Sequence, residues 1–401
     1  MAGPNTSADG PRRLACPDCG ATFADRWRCT CGNPLEFAAP PVPDRGLPVP
    51  ERMPPDPDAF DARSGLWAFD AFLAVGSDPA DRVTLGEGST PLVDADGAAG
   101  DASDDPWNAE FKLEYVFPTG SFKDRGATTT LTRARELDVD RVVEDSSGNA
   151  GAAIATYAAR AGIDAEVYVP ADVKEAKLRA IRRAGATPVR VEGSRADVTD
   201  ACVAAVEGGG DPDGSGTDPA WYASHAWNPA FFEGTATVAY EIARQRDWDA
   251  PDAVVTPLGH GTLFLGAYRG FSRLLEAGWI DEMPRLYGAQ AAGTAPIVRE
   301  LHGPGAADPD GKRNEAADGI RIAEPVRREE ILEAIRETGG DAVAVTGAAG
   351  ERELDRLHAA GFYTEPTCAV APAALRDLRA RGAVDDDEDV VVPLTGSGLK
   401  G

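Results

Sequence analysis

The sequence predicts an α/β protein with mostly parallel sheets, preceded by a small cysteine-rich segment. From about Leu66 onward, short β-branched runs alternate with alanine-rich helical runs, which is the pattern of parallel strands joined by helices. The chain has 401 residues, enough for two or three domains with a sizeable core. Its 43% apolar and 7% aromatic content is that of a globular protein.

The alternation can be placed on the chain element by element. Strands bounded by turn residues are each followed by a longer alanine-rich stretch that suits a helix. The predicted strand and helix pairs are 141–144 with 151–161, 165–169 with 173–184, 189–191 with 196–206, and 253–255 with 262–277.

The chain carries an extreme negative charge. Its formal net charge is −26, and lysine occurs at only six positions. Such a surface suits a cytoplasm at very high salt, where repulsion is screened within about 3 Å at roughly 1 M ionic strength. It disfavours nucleic acid and anionic membranes as partners, because both bind basic surfaces. With no apolar run long enough to span a membrane and no apolar signal core, we expect a cytoplasmic protein, and its charge indicates a halophilic source.

Four of the six cysteines lie close together near the N-terminus. They form a Cys-x-x-Cys knuckle followed after nine residues by Cys-x-Cys, a spacing that suits tetrahedral coordination of zinc by thiolates. Disulfides are the alternative, which a cytosolic location disfavours. A closed four-ligand site would be structural, and metal binding would supply the folding energy of so small a segment. The predicted ligands are Cys16, Cys19, Cys29 and Cys31.

The run 118–126, Pro-Thr-Gly-Ser-Phe-Lys-Asp-Arg-Gly, places Lys123 at the entrance to a predicted helix over 127–137. A buried amine would be poorly solvated there, so its pKa would fall towards neutrality, and the neutral amine is the form that condenses with an aldehyde. The alternative is an ordinary helix start with an exposed lysine. The scarcity of lysine in this chain weakens that alternative.

Two further segments follow predicted strands and open predicted helices. In 144–151, Glu-Asp-Ser-Ser-Gly-Asn-Ala-Gly, small residues let several backbone N–H groups converge on a carboxylate or phosphate, although an ordinary Asx-type cap would have a similar composition. In 257–263, Pro-Leu-Gly-His-Gly-Thr-Leu, the same geometry would hold a phosphate without a basic side chain. His260 could be a general base, but a loop histidine is more often solvated or bonded to the backbone.

The run 391–400, Val-Val-Pro-Leu-Thr-Gly-Ser-Gly-Leu-Lys, reads as a buried strand that ends in a hydroxyl and glycines. Terminal tails are normally disordered, so an ordered end of this composition indicates a role at a site. Thr395 carries the hydroxyl at the end of the predicted strand.

In order and in spacing, these four segments closely resemble the motifs of fold-type II pyridoxal-phosphate enzymes, particularly the threonine synthase family. The resemblance implies a tryptophan synthase β-like fold, with two open-sheet domains and an active site in the cleft between them. It implies that Lys123 forms the covalent link to the cofactor's aldehyde and moves the α and β protons of an amino-acid substrate.

The resemblance also assigns the other contacts of the site. Asn149 would bond the phenolic oxygen of the cofactor, and the Thr395 hydroxyl would bond its pyridine nitrogen, a neutral partner that suits elimination and replacement at the side chain. The residues implied for the cofactor phosphate are Gly259, His260, Gly261, Thr262 and Leu263. The residues implied for the substrate carboxylate are Ser146, Ser147, Gly148, Asn149 and Ala150.

These assignments give a domain plan. We expect a zinc ribbon over 1–38 and a proline-rich linker over 39–65. A large cofactor-binding domain would combine 66–125 with 229–401, and a small α/β domain would span 126–228. The expected partner is a small-molecule amino-acid substrate, and a homodimer is compatible with the plan.

The chain departs from the family where the substrate phosphate would bind. Threonine synthases carry an arginine three residues after the asparagine of an Asn-Pro segment, and Phe231 stands three residues after Asn228 here. An aromatic ring cannot supply the forked donors that suit phosphate. Either another arginine compensates, with Arg125 a candidate, or the substrate carries no phosphate. The segment 317–320 is also closer to serine/threonine dehydratases, whereas 290–297 leans towards the synthases.

The resemblance as a whole implies a threonine synthase, which converts O-phospho-L-homoserine and water to L-threonine and phosphate with pyridoxal 5′-phosphate as cofactor. The alternatives on the same fold are a serine/threonine dehydratase-type ammonia-lyase, which Phe231 favours, and a β-replacement enzyme of the cysteine synthase type. A hypothesis from another class is a zinc-ribbon regulatory protein that has lost catalysis. Lys123 and Asn149 argue against it, because a degenerate site need not keep either residue.

Overall fold

The computed structural model describes residues 12–43, 62–97, 106–208 and 219–400. Most of the predicted linker, from 44 to 61, lies outside these residues. The chain separates into two compact units. Unit 1 comprises Met1–Pro41, Asp70–Leu85 and Gly126–Gly234, and unit 2 comprises Val42–Phe69, Gly86–Arg125 and Thr235–Gly401. The domain plan drawn from the sequence stays a prediction.

Strands and α-helices alternate along most of the described chain. The strands are β1 (Leu14–Ala15), β2 (Thr22–Phe23), β3 (Glu36–Phe37), β4 (Leu92–Asp94), β5 (Glu110–Lys112), β6 (Arg141–Glu144), β7 (Asp164–Pro170), β8 (Thr187–Val191), β9 (Trp221–Tyr222), β10 (Ala253–Pro257), β11 (Arg285–Ala291), β12 (Asp341–Val345) and β13 (Val390–Pro393). The helices are α1 (Lys123–Glu136), α2 (Asn149–Ala161), α3 (Glu175–Arg183), α4 (Arg195–Val206), α5 (Pro229–Gln245), α6 (Thr262–Glu276), α7 (Pro296–His302), α8 (Pro304–Ala307), α9 (Arg328–Thr338), α10 (Gly347–Ala359) and α11 (Val370–Ala380).

Unit 1 is built on a parallel sheet with the strand order β8-β7-β6-β9. The α2 helix ends where Gly162 adopts a left-handed conformation with φ of 73°, which a glycine adopts at little cost. At the start of α4, Ser194 and Asp197 form a reciprocal capping box. The predicted strand and helix pairs of this region are confirmed to within two residues at every boundary.

The N-terminal segment adds a small antiparallel sheet to unit 1, with the order β2-β1-β3. The strands are only two residues long, so the sheet has little core of its own. Its two cysteine knuckles are closed by backbone hydrogen bonds. Gly20 N donates to Cys16 O at 3.0 Å, and Gly32 N donates to Cys29 O at 3.0 Å.

Unit 2 is built on a larger sheet with the strand order β12-β11-β10-β13-β5-β4. All neighbours pair in parallel except β4, which runs antiparallel to β5 at the edge. β10 and β13 are buried over their whole lengths, as expected of central strands covered on both faces. The buried C-terminal strand predicted from the sequence is therefore confirmed, and it occupies the middle of this sheet.

The predicted α/β fold class is confirmed by these two sheets. The core of unit 2 lies between its sheet and the helix α11, where side chains such as Phe111, Val255 and Leu375 are fully or almost fully buried. Among the described residues, no helix is both long and apolar enough to cross a membrane.

Candidate active site

The loop that carries Lys123 pairs with the segment following β13 in unit 2. Phe122 N donates a hydrogen bond to Thr395 O at 3.0 Å, and Ser397 N donates to Gly120 O at 2.9 Å. Gly120 has a φ of 74°, a left-handed conformation that turns the loop at little cost for glycine. The backbone pairing therefore brings together Lys123 and Thr395, which were both predicted to hold the cofactor.

The helix α1 begins at Lys123, and not at residue 127 as predicted from the sequence. Asp124 in its first turn accepts hydrogen bonds from Thr119, through the backbone N at 2.9 Å and through the hydroxyl. An acidic residue in this position also interacts favourably with the helix dipole. Burial raises the pKa of Asp124 to about 6, and the hydrogen bonds from Thr119 oppose that rise. The lysine is therefore part of a braced helix start and not of a free loop.

The Lys123 amine points to the first turn of α6. Its Nζ donates a hydrogen bond to the Thr262 hydroxyl at 2.9 Å and lies 4.7 Å from the centroid of the Phe122 ring. The Lys123 side chain is half-buried, whereas Thr262 is almost fully buried. The predicted cofactor lysine and the predicted phosphate loop are thus in direct contact.

The loop from Leu258 to Gly261 connects β10 to α6 as the sequence predicted. Leu258 N donates to Ala289 O at 2.8 Å, so the loop leaves the sheet directly at the strand end. Gly261 is the N-cap of α6, with a φ of 82° and no side-chain cap. The first backbone N–H groups of a helix have no acceptor within it and favour an anion. The predicted residues Gly259, His260, Gly261, Thr262 and Leu263 all lie in this turn.

The floor under this loop is the segment 317–320. A Cβ on Gly259 would lie 3.1 Å from the Ile320 Cα and 3.3 Å from the Ile322 side chain. A Cβ on Gly261 would lie 2.7 Å from the Ile331 side chain, closer than two carbon atoms tolerate. Glycine at 261 is therefore required by both space and conformation. The segment whose sequence is closer to the dehydratases borders the predicted phosphate loop.

Thr395 has a buried thiol beside its hydroxyl. Its Oγ1 lies 3.4 Å from the Cys368 Sγ, and Gly396 N donates to the same sulfur at 3.0 Å. Burial, together with the nearby Glu365 carboxylate, raises the pKa of Cys368 to about 12. The thiol therefore stays protonated and supports the threonine without acting as a nucleophile.

The predicted carboxylate-binding loop lies at the carboxyl end of β6 in unit 1. Gly148 N donates to the Ser146 hydroxyl at 3.3 Å, and Asn149 is the first residue of α2. A Cβ on Gly151 would lie 1.8 Å from Ser146 O, so only glycine allows the loop to fold back on the helix. Ser147 and Ala150 complete this turn at the helix N-terminus, where backbone N–H groups favour a carboxylate.

Phe231, which replaces the expected arginine, is a core residue. Its side chain is fully buried, and its ring packs so closely on α1 that a Cβ on Gly126 would lie 2.2 Å from it. The His225 ring contacts it edge-on, with the ring centroids 6.0 Å apart. Position 231 therefore fills space between helices and offers no group that could bind a substrate phosphate.

Arg125 does not replace the missing arginine, which corrects the candidate role suggested by the sequence. It is fully buried, and its guanidinium donates to Glu114 through Nε and NH2 at 2.7 Å each. The remaining N–H groups donate to Glu241 at 2.7 and 2.8 Å and to the Thr237 hydroxyl at 2.8 Å. With its donors occupied by protein carboxylates, Arg125 has none to offer a ligand.

The acidic partners of Arg125 were missed by the sequence analysis. Glu114 and Glu241 stand far from Arg125 in the sequence and carry no motif, so only the fold brings them together. Lys112 also binds Glu241, and it is one of only six lysines in the chain. Its occurrence in so lysine-poor a chain was a sequence signal of a buried cation, because lysines are rarely buried unless they are paired.

The residues brought together in unit 2 fit pyridoxal phosphate. A half-buried primary amine lies next to an uncapped helix N-terminus, and a buried hydroxyl lies beside the loop that carries the amine. These are the groups that an aldehyde, a phosphate and a ring nitrogen would require. The roles of the individual residues remain predictions.

Comparison with known proteins agrees with this geometry. The family model described as "Pyridoxal-phosphate dependent enzyme" matches residues 83–396. A threonine synthase from Methanosarcina acetivorans is 36% identical over 84% of this chain and 80% of its own length. A threonine synthase from Methanocaldococcus jannaschii is 33% identical over 96% of this chain and 92% of its own length.

Solved structures share the fold at lower identity. The processed form of threonine deaminase isoform 2 from Solanum lycopersicum has a TM-score of 0.60 and 22% identity, covering 77% of this chain and 83% of its own. An L-serine ammonia-lyase from Rhizomucor miehei has a TM-score of 0.62 and 19% identity, covering 77% and 93%. The chain therefore belongs to the family of pyridoxal-phosphate-dependent enzymes, together with the threonine synthases that it resembles in sequence.

Proposed function

We propose that the protein is a threonine synthase, which converts O-phospho-L-homoserine and water to L-threonine and phosphate. The observation that carries this proposal is the contact of Lys123 with Thr262, beside the Thr395 segment, in a chain 36% identical to a threonine synthase over most of both lengths. The same geometry serves other pyridoxal-phosphate lyases, so the choice of reaction rests on the sequence similarity.

The bound cofactor supplies an electron sink for charge that develops next to the substrate's amino group. Lys123 is proposed to be the base that moves protons at the α and β carbons, since its amine is half-buried and lies next to the predicted phosphate loop. The turn from Ser146 to Ala150 holds the substrate carboxylate at the N-terminus of α2. Asn149 and Thr395 orient the ring, and the N-terminus of α6 holds the cofactor phosphate.

The proposal does not assign a residue that binds the phosphate group of the substrate. Phe231 is buried in the core and Arg125 is saturated by carboxylates, so neither residue binds the leaving group. This favours, as a second candidate, an ammonia-lyase that acts on serine or threonine. The contact of the segment 317–320 with Gly259 agrees with that candidate, because its sequence is closer to the dehydratases.

The N-terminal segment is proposed to hold one structural zinc ion. The four predicted cysteine ligands have sulfur atoms that all lie within 4.8 Å of one another. Cys16 and Cys31 sulfurs are 3.6 Å apart, and those of Cys19 and Cys29 are 3.4 Å apart. Tetrahedral zinc with Zn–S bonds of about 2.3 Å requires sulfur atoms roughly 3.8 Å apart, so the cluster is close to the required geometry.

The setting proposed for the enzyme follows from its charge. With a net charge of −26, we infer a cytoplasm at high salt and no nucleic-acid partner. We also propose that the enzyme forms a homodimer.

A two-substrate assay tests the reaction. The purified protein, loaded with pyridoxal phosphate, is incubated separately with O-phospho-L-homoserine and with L-threonine, and phosphate and 2-oxobutanoate are measured. We expect phosphate and threonine from the first substrate and no oxobutanoate from the second. Oxobutanoate from threonine, without phosphate from the first substrate, would identify the ammonia-lyase and overturn the synthase.

The role of Lys123 is tested by the visible absorbance of the lysine-bound cofactor. We expect the wild type to show this band after loading and Lys123→Ala to lack it, because alanine has no amine to condense with the aldehyde. Lys174→Ala, at an exposed position, is the matched control and should keep the band. A Lys123→Ala variant with an unchanged band would show that another amine binds the cofactor.

The zinc site is tested by metal content. We expect about one zinc ion per chain in the wild type and none in a Cys16→Ser/Cys31→Ser variant, with a lower melting temperature, since metal binding supplies folding energy to the small sheet. Cys202→Ala removes a buried thiol outside the cluster and should leave the zinc content unchanged. The proposal would be contradicted if the protein bound no zinc after refolding with the metal and its four cluster cysteines were found in disulfides.

A further inference from the structure

The N-terminal ribbon and the parallel sheet of unit 1 line a partly open cavity of about 170 Å³. Trp27 and Phe37 line it from the ribbon, and Trp221 and Tyr222 line it from β9. Arg133 lines it from α1.

Two opposite charges face each other in the cavity without a direct hydrogen bond. The Arg133 NH2 and the Asp25 Oδ1 are 3.7 Å apart. Arg133 is 1% exposed, and its Nε has no hydrogen-bond partner among the described residues. Asp25 accepts one hydrogen bond from the Trp221 Nε1 at 2.8 Å, through Oδ2. Because the Arg133 NH2 donates to Arg12 O at 2.9 Å and to Ala24 O at 3.3 Å, the guanidinium keeps capacity for a further partner only through Nε and NH1. The Asp25 carboxylate keeps capacity through Oδ1.

The buried position of the Asp25 carboxylate favours a cationic partner. Burial raises the pKa of Asp25, and the hydrogen bond from Trp221 and the charge of Arg133 only partly offset that rise. An ammonium group placed next to the carboxylate would stabilise its charged form. The nearby Glu136, which also pairs with Arg133 at 3.5 Å, leaves the site with no excess positive charge.

The Trp221 and Tyr222 rings offer mainly apolar surface to an occupant, because their polar atoms already have partners in the protein. The Tyr222 hydroxyl donates to Asp145 at 3.1 Å, and the Trp221 N–H is taken by Asp25. Trp27 packs edge-on against Tyr222, with the ring centroids 5.5 Å apart. The Arg133 guanidinium lies 5.6 Å from the centre of the Phe37 ring. An occupant that meets these walls therefore needs a short apolar portion.

We propose that this cavity binds a small zwitterion, namely a free α-amino acid with a short apolar side chain. Its ammonium would bind Asp25, its carboxylate would bind Arg133, and its side chain would lie among the aromatic rings. The volume of about 170 Å³ suits an occupant of this size, since an apolar cavity of about 150 Å³ accommodates one benzene molecule. None of the residues that line the cavity is assigned to the cofactor or substrate, so the proposal goes beyond the proposed reaction.

The occupant would touch a segment that the family uses for substrate recognition. Asn228 lines the cavity, donates to Tyr222 O at 3.2 Å and accepts from Ala230 N at 3.0 Å at the start of α5. Phe231 follows in the first turn of that helix. An occupant of this cavity would therefore contact the backbone segment that leads into α5 and positions Phe231.

The proposal is tested by calorimetric titration of the folded, zinc-loaded protein with L-valine. Two matched probes each lack one charge: 2-methylpropan-1-amine has no carboxylate, and 3-methylbutanoate has no ammonium. We expect saturable binding of valine and at least tenfold weaker binding of either probe, because each loses one charge-assisted hydrogen bond (about a tenfold effect). These comparisons need no variant and do not depend on enzymatic activity.

A variant locates the binding site. Asp25→Asn should weaken valine binding by about tenfold or more, since the amide cannot pair with an ammonium as a carboxylate does. Asp172→Asn, at an exposed position of the same unit, should bind like the wild type. Circular dichroism and zinc content verify that both variants are folded. Absence of saturable heat with millimolar valine, equal binding of a one-charge probe, or wild-type affinity in folded Asp25→Asn would each overturn the proposal.

Discussion

A buried cluster of charges behind Lys123 is the interaction on which the proposed site depends. Arg125 binds the carboxylates of Glu114 and Glu241, and Lys112 binds Glu241 at 2.8 Å and Thr90 O at 2.7 Å. Burial opposes the charge on Glu241, but Arg125 and Lys112 outweigh it and hold the pKa of that carboxyl well below its usual range. Two cations balance two anions in the interior, so the cluster is stable only when complete.

The cluster constrains the geometry of the amine because Arg125 is two residues from Lys123. A helix start that is tied down by a saturated guanidinium has little freedom to rotate or fray. On the preceding side, Asp124 holds Thr119, and the loop is further paired with the strand segment that contains Thr395. The frame thereby fixes the backbone from which the amine reaches Thr262, and a proton-transferring lysine requires such fixed positioning.

Much of this could be predicted from the sequence, because strand and helix periodicity is local information. The limits of β6, α4 and α6 followed closely from β-branched and alanine-rich runs. The four motifs were also local, and the structure places Lys123, Thr262 and Thr395 near one another in unit 2. The start of α1 was predicted four residues late, since the brace on Asp124 depends on a side-chain contact that periodicity does not encode.

Long-range pairing accounts for what the sequence could not provide. Arg125 looked available for a phosphate because nothing in its own motif shows that Glu241, more than a hundred residues later, takes its donors. Phe231 looked like a changed substrate contact, whereas its burial against Gly126 makes it part of the core. The cavity between the ribbon and β9 was equally hidden, because its charged pair comes from segments distant in the chain.

The most direct test of this account is the coupling of the charge cluster to cofactor binding in Arg125→Lys. Lysine keeps the charge but has three donors in place of five and no planar fork to pair with each glutamate through two hydrogen bonds, so we predict a loss of about 3 kcal/mol in unfolding free energy. We also predict weaker pyridoxal phosphate binding, measured by titrating the visible band of the lysine-bound cofactor. Arg182→Lys, in an exposed ion pair, should change stability by less than about 1 kcal/mol. Wild-type stability and cofactor affinity in Arg125→Lys would contradict the claim that this cluster holds Lys123 in place.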